Sequence, residues 1–315
     1  MSLDAETLLD RRRLKRRVFF WRTAAFLAVA AALIAGYAAT REDGGILGGR
    51  DRVARVSISG FIGTDRKFVD LFDRLGRDNH VKGVIVQLDT PGGSTAGGEA
   101  IYEALRSLAA KKPTVARMEA LAASAGYMIA LGADHIVSRR NTLTGSIGVI
   151  IQWPDASRLL DTVGVKYEDV KSSPMKAEPT PFRPASPESR AMLEKTVRDS
   201  YEWFVALVAE RRGLAPEVAR DLADGRVVTG AMARDLKLVD TLGGEAAALD
   251  WLATKGVDRK LKVVDADPRD TSSWGGLLGE ETAAVVARGV LRTVGLGWVE
   301  SDDGRVRGLV SAWRP

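Results

Sequence analysis

A chain of 315 residues with 45% apolar content can bury a substantial core, which excludes a wholly disordered protein. Its formal charge of +5 sits at the front: residues 1–22 carry seven Lys/Arg against three Asp/Glu, and the other 39 basic and 38 acidic residues nearly cancel, leaving no footprint for nucleic acid. The absence of cysteine excludes thiol nucleophiles, disulfides and Cys-based zinc sites, and with only His80 and His135 a His-rich metal site is disfavoured.

From the N-terminus, the basic segment 1–22 contains RRRLKRR at 11–17, which is expected on the cytoplasmic side of a membrane. Residues 23–40, TAAFLAVAAALIAGYAAT, form an uncharged run of 18, enough for a transmembrane anchor once Arg22 snorkels toward the headgroups. The charge rule then places everything beyond it outside the cytoplasm. Gly36 and Ala38 also give the small-x-small pattern of a cleaved signal peptide, but the long basic stretch ahead of the apolar core favours an uncleaved anchor. Residues 41–52, with Gly and charge and no apolar period, read as a linker.

A domain over 53–255 follows, in which strand and helix patterns alternate. VARVSISG at 53–60 alternates like a half-buried strand, and GVIVQLD at 83–89 reads as a strand buried on both faces. Phe68, Leu71, Phe72 and Leu75 lie between them at helical spacing. A helix over about 95–111 and a strand TVARM at 114–118 come next. This order predicts an α/β fold with a parallel sheet and βαβ crossovers. Pro187 opens a long helix with Leu193, Val197, Tyr201, Phe204 and Val208 in one stripe. The C-terminal extension 256–315 offers a strand at 260–265, an amphipathic stretch near 281–295, and Trp274, Trp298 and Trp313.

Three places carry chemistry. DTPGGS at 89–94 follows the buried strand, at the end where open parallel sheets bind ligands. Its glycines let a backbone N–H turn toward an oxyanion, and they equally suit a tight βα turn. AASAGYM at 122–128 puts Ser124 between a strand and a short helix, with the Ala125 N–H at the helix start; such a serine is a nucleophile or an N-cap. No Gly-x-Ser-x-Gly elbow accompanies it, which disfavours an α/β-hydrolase. Lys176 stands alone in a Pro-rich loop, where a lysine is ordinarily solvated; with no histidine placed as a base, it becomes the candidate for that role.

Between about residues 53 and 250 five blocks occur in order: DTPGGS, AASAGYMIA, ADHIVSRRNTLTGSIGVI at 133–150, KSSPMKAEPTPFRP, and DGRVVTGAMARDLKLVD at 224–240. Together they resemble the bacterial signal peptide peptidase A family in its short, single-unit form. The resemblance implies a crotonase-like or caseinolytic-protease-like α/β domain, with Ser124 as nucleophile and Lys176 as general base. It further implies Ser146, in TGSIG, as the group that orients the lysine amine, and Gly92 or Gly93 with Ala125 as oxyanion donors. No metal or cofactor is called for. The implied substrates are hydrophobic peptides, chiefly released signal peptides, and the implied assembly is a homo-oligomeric ring in which serine and lysine come from neighbouring subunits. The implied location is the bacterial inner or plasma membrane, single-pass, with the catalytic domain on the periplasmic or extracytoplasmic side.

The chain departs from the family pattern at Ala125, where glycine is commoner but the N–H is kept, and at Ser173, where glycine is commoner before Pro174. His80 and His135 fit as structural residues. Three other readings compete: an acyl-CoA hydratase or isomerase of the same fold, which needs a carboxylate base and a cytosolic CoA pocket; a protease of the same family acting on other membrane proteins; and a catalytically inert membrane scaffold. A lysine base imposes its own demand, because its reference pKa of about 10.4 makes it useful only where burial or nearby cations favour the neutral amine.

Overall fold

The computed structural model describes residues 18–28, 30, 50–64 and 66–268. Residues 18–28 are helical (α1) and mostly exposed. Apart from these and residue 30, the expected anchor at 23–40 lies outside the described residues, as do most of the linker and the tryptophans of the C-terminal extension. No helix among the described residues is long and apolar enough to cross a membrane.

The alternation read from the sequence is what the backbone does. β1 (Arg52–Ile62), α2 (Lys67–Arg77), β2 (Val81–Gly93), α3 (Thr95–Ala109) and β3 (Thr114–Ala123) follow in turn, each strand drawn from a run rich in Val, Ile or Leu. Then come α4 (Ala125–Ala130), β4 (His135–Ser138), β5 (Leu143–Gly145) and α5 (Ser157–Thr162). The long α6 (Pro187–Arg212) starts with proline in its first turn, is capped by the Ser186 hydroxyl accepting from Ser189 N–H, and stops at Gly213 with φ of 60°. α7 (Pro216–Leu222), β6 (Val227–Thr229), α8 (Gly230–Asp235), β7 (Thr241–Leu242), α9 (Glu245–Thr254) and β8 (Lys262–Asp265) complete the domain.

The sheet runs β6-β5-β3-β2-β1-β8, with β4 on β3 and β7 on β4. Every pair is parallel except β5 with β6, so the sheet is mixed rather than purely parallel. The antiparallel strand is a short one at the edge, where such strands commonly join parallel sheets. On its side away from β2, β3 serves two neighbours: residues 115–118 pair with residues 135–138 of β4, and Leu121, Ala122 and Ala123 pair with β5.

Side chains alternate across the sheet and build two cores. One face sets Val56, Ile58, Val86, Leu88 and Met118 against α2, α3, α4 and the second half of α6. On the other, Val53, Ile85, Val115 and Val137 pack under Ala248 and Leu252 of α9. α9 covers only the N-terminal half of that face. Further along, the same positions turn polar: Arg55 pairs with Glu245 at 2.8 Å and Asp265 at 2.5 Å, and the largely buried Arg117 pairs with Glu119 and donates to Gln87.

His135 stacks on Trp251 with ring centroids 5.0 Å apart, and its Nε2 lies 2.9 Å from Thr241 Oγ1. Burial holds its imidazole below the usual 6.5, with Asp240 pulling the other way. As pH falls the unfolded chain therefore takes up a proton first, and stability is lost through a window that begins near pH 6.5. Replacing His135 with glutamine, which can still reach Thr241, is expected to flatten the decline of melting temperature between about pH 6.5 and 5. A variant that keeps the wild-type slope would assign that decline to other groups.

Candidate active site

Ser124 sits where β3 gives way to α4, with φ of 54° and ψ of −121°. A non-glycine residue rarely adopts this conformation, which costs on the order of 1–3 kcal/mol and is held only where the surroundings fix it. Two backbone bonds do so: Ser124 N–H donates to Gly145 O at 3.0 Å, and Ser124 O accepts from Met128 N–H at 3.0 Å. Although Ser124 occupies the N-cap position of α4, its hydroxyl makes no capping bond. The hydroxyl is thus left to other work, and the N-cap alternative open in the sequence is closed. All six residues of α4 behind it are buried.

The DTPGGS turn presses directly on this serine. A Cβ added at Gly92, whose φ is 107°, would stand 2.8 Å from Ser124 Cβ, 2.9 Å from Ala123 O and 3.1 Å from Ala125 N. Only glycine permits that approach. Thr90, fully buried, organises the turn by donating to Gly60 O at 2.6 Å and accepting from Gly92 N–H at 3.0 Å. The Gly92 amide is therefore engaged. Ala125 opens α4, so its N–H has no acceptor within the helix. Ser94 closes the turn as the cap of α3, accepting from Gly97 N–H at 3.2 Å.

Ser146 follows Gly145, the acceptor of the Ser124 amide, and its own N–H donates to Arg226 O at 2.8 Å. Its φ of 49° again departs from ordinary backbone. From here residues 147–153 run along α6 and form one wall of a groove of about 630 Å³, with Ile147, Val149, Ile150, Leu193, Val197 and Tyr201 in its lining.

Lys176 belongs to the long loop between α5 and α6. It is exposed, and no hydrogen bond or ion pair with another described residue engages its amine. Its loop is held by a ring of charges that sequence reasoning passed over: Glu178 takes both Lys171 and Arg183, while Asp169 pairs with Arg183 at 3.1 Å and Lys171 at 3.2 Å. The alternation Asp-x-Lys and Glu-x₄-Arg around the loop was the available signal. Thus the backbone sets Gly92, Gly93, Ser124, Ala125 and Ser146 in adjoining turns, while the Lys176 amine bonds to none of them. The arm that carries Lys176 is also the least buried part of the domain: α5 buries none of its residues, and Ile150, Leu159, Val163, Val165, Val170 and Phe182 are all exposed. Among the described residues no three His, Asp or Glu gather as a metal site.

Comparison with known proteins points to one family. A model of peptidase family S49 matches residues 106–258. The protein slr0021 of Synechocystis sp. is 38% identical over 224 residues, which cover 70% of this chain and 81% of that protein. The chloroplastic serine protease SPPA of Arabidopsis thaliana is 28% identical over 248 residues, covering 72% of this chain but only 36% of the plant protein. Among solved structures, a mutant of the 1510-N membrane-bound stomatin-specific protease aligns with a TM-score of 0.46 and 18% identity, over 70% of this chain and 99% of its own. Matched by the family model and spanning 81% of a relative at 38% identity, the chain belongs to peptidase family S49, the signal peptide peptidase A family.

Proposed function

We propose that the protein is a membrane-anchored serine endopeptidase that degrades hydrophobic peptides, such as cleaved signal peptides, with Ser124 as nucleophile and Lys176 as general base. The observation that carries this reading is the strained, uncapped Ser124, set at a strand end against a glycine turn and a free helix-start amide. The Ser124 hydroxyl attacks the scissile carbonyl and passes its proton to the lysine amine. Gly93 and Ala125 N–H groups meet the oxyanion, with Gly92 leaving the space for it. Collapse expels the new amine, which takes the proton back, and a water activated by the same lysine releases the acyl group. Ser146 orients the amine. None of these steps calls for a cofactor.

The apolar groove that begins next to Ser146 suits hydrophobic side chains, which supports the substrate class. A lysine serves as a base only where water is kept from it, and Lys176 is exposed on the single chain. The exposed apolar arm supplies the remedy: a second copy laid against it buries both the arm and the lysine, in a ring with shared sites. The apolar run at 23–40 behind a basic head supports a single-pass anchor in the bacterial plasma membrane, with the domain on the extracytoplasmic side.

Labelling of the detergent-solubilised oligomer with a fluorophosphonate, mapped by peptide mass, tests this reading. Modification at Ser124 is the expected result. An inert Ser124 in the assembled protein would instead favour a scaffold that keeps only the fold.

A further inference from the structure

β2 and β3 do not run in step up to the nucleophile. Leu88 pairs with Met118, but Thr90 pairs with Ala122, so two steps along β2 face four along β3. The surplus backbone at 119–121 bulges out of the ladder immediately before Ser124. Side chains hold it on both flanks. Thr142 donates to Glu119 O at 2.5 Å and Thr144 donates to Ala122 O at 2.7 Å, both from the β5 side. From β2, the exposed carboxylate of Asp89 accepts the Leu121 N–H at 3.1 Å.

We propose that Asp89 is a positioning residue for catalysis: by accepting the Leu121 amide, its carboxylate fixes the bulge that sets Ser124 in its strained conformation. The inference rests on Ser124 being the nucleophile. Asp89 and Leu121 lie toward solvent, so water can replace the lost partner and the fold suffers little when the carboxylate is removed. Water does not fix direction, however, and the bulge is then free to relax along with the three residues that follow it. A displacement of an ångström at a reacting atom slows chemistry by about a hundredfold. Asparagine keeps an acceptor oxygen in the same place and loses only the charge.

The test compares the full-length, assembled wild type with Asp89→Ala and Asp89→Asn, reading three quantities: the second-order rate of fluorophosphonate labelling at Ser124, kcat and KM on a hydrophobic peptide, and melting temperature. Asp89→Ala is expected to slow labelling and lower kcat by about 10- to 100-fold with KM little changed. Asp89→Asn is expected to stay within about threefold of wild type. Should Asp89→Ala fail to fold, Asp89→Ser, whose side chain is too short to span the same gap, takes its place in the same comparison. Wild-type labelling rates in the alanine or serine variant overturn the inference, as does an asparagine variant as slow as alanine, which would make the charge the active feature. If wild-type Ser124 is not labelled at all, the nucleophile assignment falls and this role falls with it. Labelling of wild type and Asp89→Ala at equal rates removes only the role of Asp89.

Discussion

Alanine at Ser124 or at Lys176 is expected to lower peptide hydrolysis by about ten-thousandfold to a millionfold, with little change in melting temperature. Ser124→Ala removes the hydroxyl placed at the strained end of β3, and it leaves the backbone bonds to Gly145 and Met128 in place. Lys176→Ala removes an exposed side chain without a partner among the described residues, so the single chain loses no contact that holds it folded. Peptide turnover and thermal melting of each purified variant check both halves of the claim. Full activity in Lys176→Ala would end the dyad. Because serine and lysine are proposed to meet across subunits, mixing the two dead variants and reassembling them is expected to restore about a quarter of wild-type activity, the share of interfaces at which each partner brings its intact residue. No recovery on mixing would place both residues of a working site in one subunit. A glycine at 124 separates strain from chemistry: it is expected to be as inactive as alanine yet more stable by about 1 kcal/mol, since glycine adopts φ of 54° freely.

The second large effect belongs to a residue with no side chain. Gly92→Ala is expected to slow Ser124 labelling by at least about a hundredfold and to destabilise the domain by about 1–3 kcal/mol. Its methyl would lie 2.8 Å from Ser124 Cβ and 3.1 Å from the Ala125 amide, and its φ of 107° is already foreign to alanine. Most of the atoms it meets belong to the backbone of the nucleophile turn, which cannot swing aside as a flexible side chain would. Either the turn moves and misdirects Ser124, or the oxyanion amides shift from their places. Gly213→Ala provides the comparison. Gly213 also has positive φ, 60°, but open space around it, so the backbone penalty of about 1 kcal/mol should appear with activity intact. Equal activity in both glycine variants would show that close approach at Gly92 is dispensable.

Much of this architecture is legible in the sequence because local pattern and tertiary environment agree. GVIV at 83–86 is apolar on both faces because that part of β2 is covered on both, and α3 keeps Ile101, Leu105 and Leu108 buried at helical spacing. The α6 stripe is legible only in part: Phe204 and Val208 are buried, while Leu193 and Val197 border the open groove, a difference that periodicity does not register. Ser124 was readable as a junction serine, but its freedom from capping follows from backbone angles that no residue type announces. The occupied Gly92 amide depends on the Thr90 rotamer, and the bulge opposite Asp89 depends on strand register. Both are products of the assembled sheet. Lys176 was singled out because no histidine was placed as a base, and the resemblance then gave it that role; its exposed amine makes no bond to the serine in the single chain.

The uneven burial of the domain also fixes the order in which its parts fail. Ser124 is backed by a helix with all six residues buried, whereas the lysine rides on an arm whose short helix buries none. Local opening is easiest where apolar contacts are fewest. Warming should therefore disorder the arm that carries Lys176 while the Ser124 turn stays in place, before any loss of the core. In the proposed membrane-anchored ring with shared sites, such a state limits damage from stray copies: a subunit away from its neighbours holds the proposed nucleophile without its proposed base.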